Sequence, residues 1–100
     1  MKTLDEIERA RGELIAIRRD IHANPELAFE ETRTSQLVAD RLRAWGLEVH
    51  TGLGKTGVVG VLHGTGAASK KALGLRADMD ALPMPELNRF AHASTISGRM

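Results

Sequence analysis

The sequence predicts an α/β fold, with two N-terminal helices followed by a three-stranded antiparallel meander. Apolar residues recur at helical spacing as far as Trp45, and the pattern turns strand-like after Gly46. The links between the strands are also too short to hold a helical crossover.

Thr3 and Glu6 have the spacing of a capping box, in which each side chain satisfies a free backbone donor at a helix start. Leu4, Ile7, Leu14, Ile17 and Ile21 follow at helical spacing, with charged residues between them. Pro25 ends this helix, because the residue before a proline is pushed out of helical geometry, so residues 22–26 read as a turn. A second helix is expected from near Glu30, where the charges of Glu30 and Glu31 suit the positive end of a helix dipole. It should carry Leu37, Val38, Leu42 and Trp45 inward, hold Arg41 and Arg43 in its last turns, and stop at Gly46.

Residues 47–51 alternate like a half-exposed strand. Residues 57–62, Gly-Val-Val-Gly-Val-Leu, form a continuous apolar run, as in a strand covered on both faces. Residues 72–77 read as a third strand, and the links 52–56 and 63–71 predict antiparallel connections. From Leu82 onward no period is visible, and Pro83, Pro85, Asn88 and Gly98 mark loop. Two helices against such a sheet make a thin core. A run buried on both faces implies a further layer, supplied by a partner or by a larger α/β domain.

The chain is 42% hydrophobic and 27% charged, the balance of a globular protein. Its formal charge of +1 and three aromatics (Phe29, Trp45, Phe90) predict no nucleic-acid partner. With no cysteine, the sequence contains neither a disulfide nor a thiolate metal site. No apolar run approaches the roughly 20 residues of a membrane span, so no membrane partner is expected. Residues 1–6 lack a secretory apolar region, and a cytoplasmic setting is the expectation.

The 52–57 stretch, Gly-Leu-Gly-Lys-Thr-Gly, invites a phosphate-loop reading. That motif needs a further glycine where Val49 stands, and a helix after the loop where a strand is expected, so a hairpin loop accounts for it better. The histidines (His22, His50, His63, His92) show no i, i+4 metal-ligand pair. His22, beside Asn24 and Pro25, occupies the most constrained position, which a helix-end histidine also explains.

Asp78 and Asp80 stand where an apolar strand meets a loop stiffened by Pro83 and Pro85. In a continuing strand they share one face, where two carboxylates raise each other's pKa unless a cation intervenes. A metal would resolve the conflict, and so would Arg76 at even spacing.

Three blocks carry a family resemblance: residues 18–27 (Arg-Arg-Asp-Ile-His-Ala-Asn-Pro-Glu-Leu), 54–60 (Gly-Lys-Thr-Gly-Val-Val-Gly) and 75–83 (Leu-Arg-Ala-Asp-Met-Asp-Ala-Leu-Pro). In this order they resemble the start of the metal-dependent amidohydrolases that include aminoacylases, hippurate hydrolases and indole-acetyl-amino-acid hydrolases. The resemblance implies an α/β/α zinc-peptidase-like catalytic domain, of which residues 1–100 would be the N-terminal, incomplete part. It also implies hydrolysis of the amide bond of N-acyl amino acids at a divalent metal centre (zinc, manganese, cobalt or nickel), and a homo-oligomer as one expected assembly.

By the same resemblance Asp80 matches the aspartate that orients a metal-binding histidine. Asp78 occupies the place where related peptidases keep a ligating histidine, a departure that puts its own ligation in question. The family's His-Ala-Cys-Gly-His-Asp segment, which supplies a cysteine and a histidine to the metals, would begin just after Met100. Residues 1–100 alone are therefore expected to be inactive, to hold no complete metal site and to bind no metal. The competing expectation is a non-catalytic module that docks through an exposed sheet face.

Overall fold

The computed structural model describes residues 2–66 and 69–100. Two compact units divide the chain: Met1–Pro25 with Ala81–Met100, and Glu26–Asp80. In chain order the elements are α1 (Lys2–Ala23), α2 (Thr32–Ala44), β1 (Glu48–Leu53) and β2 (Gly57–Val61).

The first unit is built on α1. This helix begins at Lys2, so Thr3 lies inside it and does not cap it. It also runs through His22 and Ala23, which were expected in the turn. Asn24 stops it: its side-chain amide donates to the Asp20 carbonyl at 2.9 Å, and Pro25 follows. The apolar spacing forms the helix, yet no residue of α1 is buried, and Leu4, Ile7 and Leu14 stay exposed. Residues 81–100 contain neither helix nor strand, as expected. Their ends meet where Leu82 and Met100 exchange two backbone hydrogen bonds, at 2.8 and 3.1 Å.

In the second unit the start of α2 is set by a residue outside the helix. Glu26 accepts the backbone N–H of Arg33 at 2.9 Å and of Thr34 at 2.6 Å, and the Thr34 hydroxyl at 2.7 Å. These are donors of the first helical turn, which have no partner within the helix. Glu31, at the cap position, makes no side-chain cap bond and is instead buried, accepting a hydrogen bond from the Thr56 hydroxyl. Burial would raise the Glu26 pKa, but the hydrogen bonds from Arg33 and Thr34 outweigh it and leave the carboxyl below its ordinary value. Glu26→Ala should therefore fray the first turn of α2, costing about 1–2 kcal/mol by analogy with lost helix caps. Urea melts followed by helical circular dichroism would show this, and an unchanged midpoint would count against the cap.

The C-terminal end of α2 follows the expected signal. Gly46 sits at φ +85°, and the N–H groups of Gly46 and Leu47 return to the carbonyls of Arg43 and Leu42, both at 3.0 Å. Leu42 packs toward Gly60, where an added Cβ would lie 3.0 Å from a Leu42 methyl. Trp45, expected inward, is exposed because the helix has already ended before it.

β1 and β2 form an antiparallel hairpin in which Glu48 faces Val61 and His50 faces Val59, with an irregularity between Thr51 and Leu53. The burial on both faces expected for 57–62 is not found: Val59, Gly60 and Leu62 are exposed. The third strand expected over 72–77 is likewise not formed, and among the described residues the sheet has two strands. Residues 72–77 have no regular structure, with Leu73 87% and Leu75 92% exposed. An extended segment becomes a strand only when a neighbour supplies ladder partners and a surface for its side chains, and this segment has neither. The link 63–71 includes Ala67 and Ala68, which lie outside the described residues.

Candidate functional site

The acidic stretch belongs to the second unit. Arg76 Nη2 lies 2.9 Å from Asp78 Oδ1, in a pair whose side chains are 84% and 67% exposed. Of the two ways to relieve the carboxylates, the structure thus shows the arginine. Asp80 is exposed as well. Both aspartates border an open cleft of about 450 Å³ together with Arg76, Glu31, Thr56 and Phe29. Phe29 is unforeseen from the sequence: it holds φ at +65°, an uncommon conformation for a bulky residue, with its side chain exposed.

The glycine-rich 52–57 stretch closes the β1–β2 hairpin, with Gly52, Gly54 and Lys55 at positive φ. It runs into a strand, so the helix amides that would hold a phosphate are missing.

The first unit gathers groups that no spacing rule foretold. Glu86 lies 64 residues from His22, yet His22 Nε2 sits 3.1 and 3.0 Å from its two carboxylate oxygens. The same carboxylate accepts the Ser94 N–H at 2.5 Å and the Asn88 side-chain amide at 3.2 Å. The Ser94 bond first, and then the His22 contact, pull the Glu86 pKa from 4.5 to about 2. His92 stacks on Phe90 with ring centroids 4.0 Å apart. Burial, followed by the charges of Arg19, His22 and Arg18, lowers the His92 pKa. In the second unit His50 and His63 both approach Glu48, at 3.4 and 3.6 Å, in an exposed group on the hairpin.

Among the described residues no group of three or more His, Cys, Asp or Glu is arranged to hold a metal ion. The metal centre that the resemblance implies therefore does not fit the described residues taken alone. No helix among them is long and apolar enough to cross a membrane.

No protein-family model matches the chain. It is 50% identical over 94 residues to the hippurate hydrolase of Campylobacter jejuni, covering 94% of this chain and 24% of the relative. The thermostable carboxypeptidase 2 of Saccharolobus solfataricus is 43% identical over 100 residues, which are 25% of its length. An IAA-amino acid hydrolase of Arabidopsis thaliana, ILR1-like 5, is 47% identical over 87 residues, covering 87% of this chain and 19% of the relative. Among solved structures, the YxeP protein of Bacillus subtilis, described as a dinuclear metal binding peptidase of the M20 family, superposes with a TM-score of 0.82. That match is 33% identical and covers 93% of this chain and 26% of YxeP. The chain thus spans about a quarter or less of the length of these relatives. It belongs, as an N-terminal portion, to the amidohydrolase family of the hippurate and IAA-amino acid hydrolases.

Proposed function

We propose that residues 1–100 form the N-terminal part of the catalytic domain of a hippurate hydrolase-like amidohydrolase, which cleaves the amide bond of N-acyl amino acids. The observation that carries this reading is the 50% identity over 94 residues to a hippurate hydrolase. The aspartate-bearing block at residues 75–83 adds to it. The name of the solved neighbour, a dinuclear metal binding peptidase, supports a divalent metal for the family. Zinc, manganese, cobalt and nickel are the proposed candidates, held by ligands from outside residues 1–100. Within these residues Asp80 is the proposed contributor, an exposed carboxylate free to accept the N–H of a metal-binding histidine and hold its ring in place. Asp78 stays paired with Arg76. A cytoplasmic setting and a homo-oligomeric assembly belong to the same proposal.

Hippurate offered to the 100-residue protein with each of the four metals should not be hydrolysed above the metal-only blank. Hydrolysis that Asp80→Asn abolishes would overturn the assignment of the ligands to other residues.

Val59, exposed on β2, favours a second reading, a non-catalytic module that docks through its sheet face, with the exposed Leu62, Leu73 and Leu75 lying in the same unit outside the strands. A defined homodimer that protects these residues, in a protein inactive at every length the gene encodes, would select it.

A further inference from the structure

The first unit has an anchor that the proposed activity does not use. The Glu86 side chain is only 4% exposed, and a carboxylate so enclosed is tolerated only when it is paired and hydrogen-bonded. Its partners come from both sides. His22 stands in the last turn of α1, where the helix dipole favours a positive group, while Ser94 and Asn88 belong to the irregular segment. Both oxygens of an ionised carboxylate only accept, so His22 Nε2 must carry the proton that it shares with them. One residue beyond Ser94, the N–H and hydroxyl of Thr95 both donate to the Ala23 carbonyl, at 2.9 and 2.7 Å. The Ala23 carbonyl is among the last four of α1, which have no partner within the helix.

We infer that Glu86 is a positioning residue: its carboxylate, gripped by His22, fixes residues 88–95 on the C-terminal end of α1 and thereby sets the stacked Phe90–His92 pair. The charged and titratable groups around the anchor are Arg18, Arg19 and His22 from α1, and His92 from the segment itself. Asp20, also on α1, is turned to Asn24, whose side-chain amide it accepts at 3.4 Å. The enclosed Glu86 carboxylate supplies negative charge to the positive groups around it, and its low pKa agrees. All of these atoms lie within one unit, so the anchor stands whether or not the proposed activity does.

Amide exchange of Ser94 and Thr95, followed by NMR on the 100-residue protein, tests the anchor without any assay of activity. The folded carboxyl titrates lower than the unfolded one, so its stabilising effect is complete above pH 4.5 and is lost as pH falls toward about 2. Protection of both amides, corrected for intrinsic exchange, should fall roughly tenfold or more between pH 5 and pH 3. Glu86→Ala should remove that protection at pH 7. Glu86→Gln, which keeps the shape and one acceptor for the Ser94 N–H, should retain part of it and flatten the fall below pH 4.5. Should Glu86→Ala fail to fold, the Gln variant alone decides. Unchanged protection in Glu86→Ala, or the same pH profile in Glu86→Gln and the parent, would overturn the inference.

Discussion

Gly57→Ala is expected to break the β1–β2 hairpin. A Cβ built at Gly57 would lie 2.4 Å from the Leu53 carbonyl oxygen, and Leu53 is its own cross-strand partner. The clashing atom is backbone, so no side chain can swing aside to relieve it. Opening the pair at this point would also shift the bulge between Thr51 and Leu53, which sets the register of the remaining pairs. Overpacking of this kind costs about 1–3 kcal/mol. A two-stranded sheet with few buried side chains has little reserve against that loss. Cross-strand amide contacts between His50 and Val59 should disappear from the NMR spectrum. Gly54→Ala is the control: nothing lies within 4 Å of its added Cβ, so only its φ of +54° is strained. It should cost about 1–2 kcal/mol from the left-handed φ alone and leave the cross-strand contacts in place. Equal effects of the two variants would remove the clash as the cause.

The second large effect concerns activity. In a longer protein encoded by the same gene that hydrolyses N-acyl amino acids, Asp80→Asn should lower kcat/KM about 10–100-fold, the usual cost of losing a carboxylate that orients a metal-bound histidine. Asp78→Asn should cost far less, because Asp78 meets Arg76 in an exposed pair, and such pairs contribute only about 0–1 kcal/mol. The two variants make the same carboxylate-to-amide change two positions apart, so general damage to the loop would affect both alike. Steady-state kinetics on hippurate, with metal content measured in each variant, would separate them. Asp78→Asn matching or exceeding Asp80→Asn would reverse the roles given to the two residues.

The candidate site was legible in part. The 75–83 block drew attention to Asp78 and Asp80, and the even spacing of Arg76 pointed to the ion pair that forms. The shared strand face was a wrong premise, since residues 72–77 have no partner to make them a strand. Glu26 and Glu86 were missed for a physical reason. Each acts through contacts that local periodicity does not encode, Glu26 across a turn onto the amides of Arg33 and Thr34, Glu86 across 64 residues onto His22. Glu26 stands six residues ahead of α2, outside the spacing of a capping box, so no local rule assigns it to the helix start. For Glu86 no signal in the sequence points to His22. Phe29 was equally opaque, because its positive φ is imposed by the turn between the helices.

Sequence by itself determined the features whose causes are local. Asn24 with Pro25 closes α1, Gly46 closes α2 by taking up a left-handed conformation, and the glycines around Lys55 turn the chain back into an antiparallel pair. Its three matching blocks also carried the family. Tertiary structure alone decided what depends on a second surface: which apolar residues are covered, whether residues 72–77 become a strand, and which carboxylates find donors. Periodicity sets the face that a helix or strand presents, but burial and ladder pairing require a neighbour to meet that face. α1 and the 72–77 segment have the right pattern and little against it, whereas Glu86 has no pattern and is enclosed.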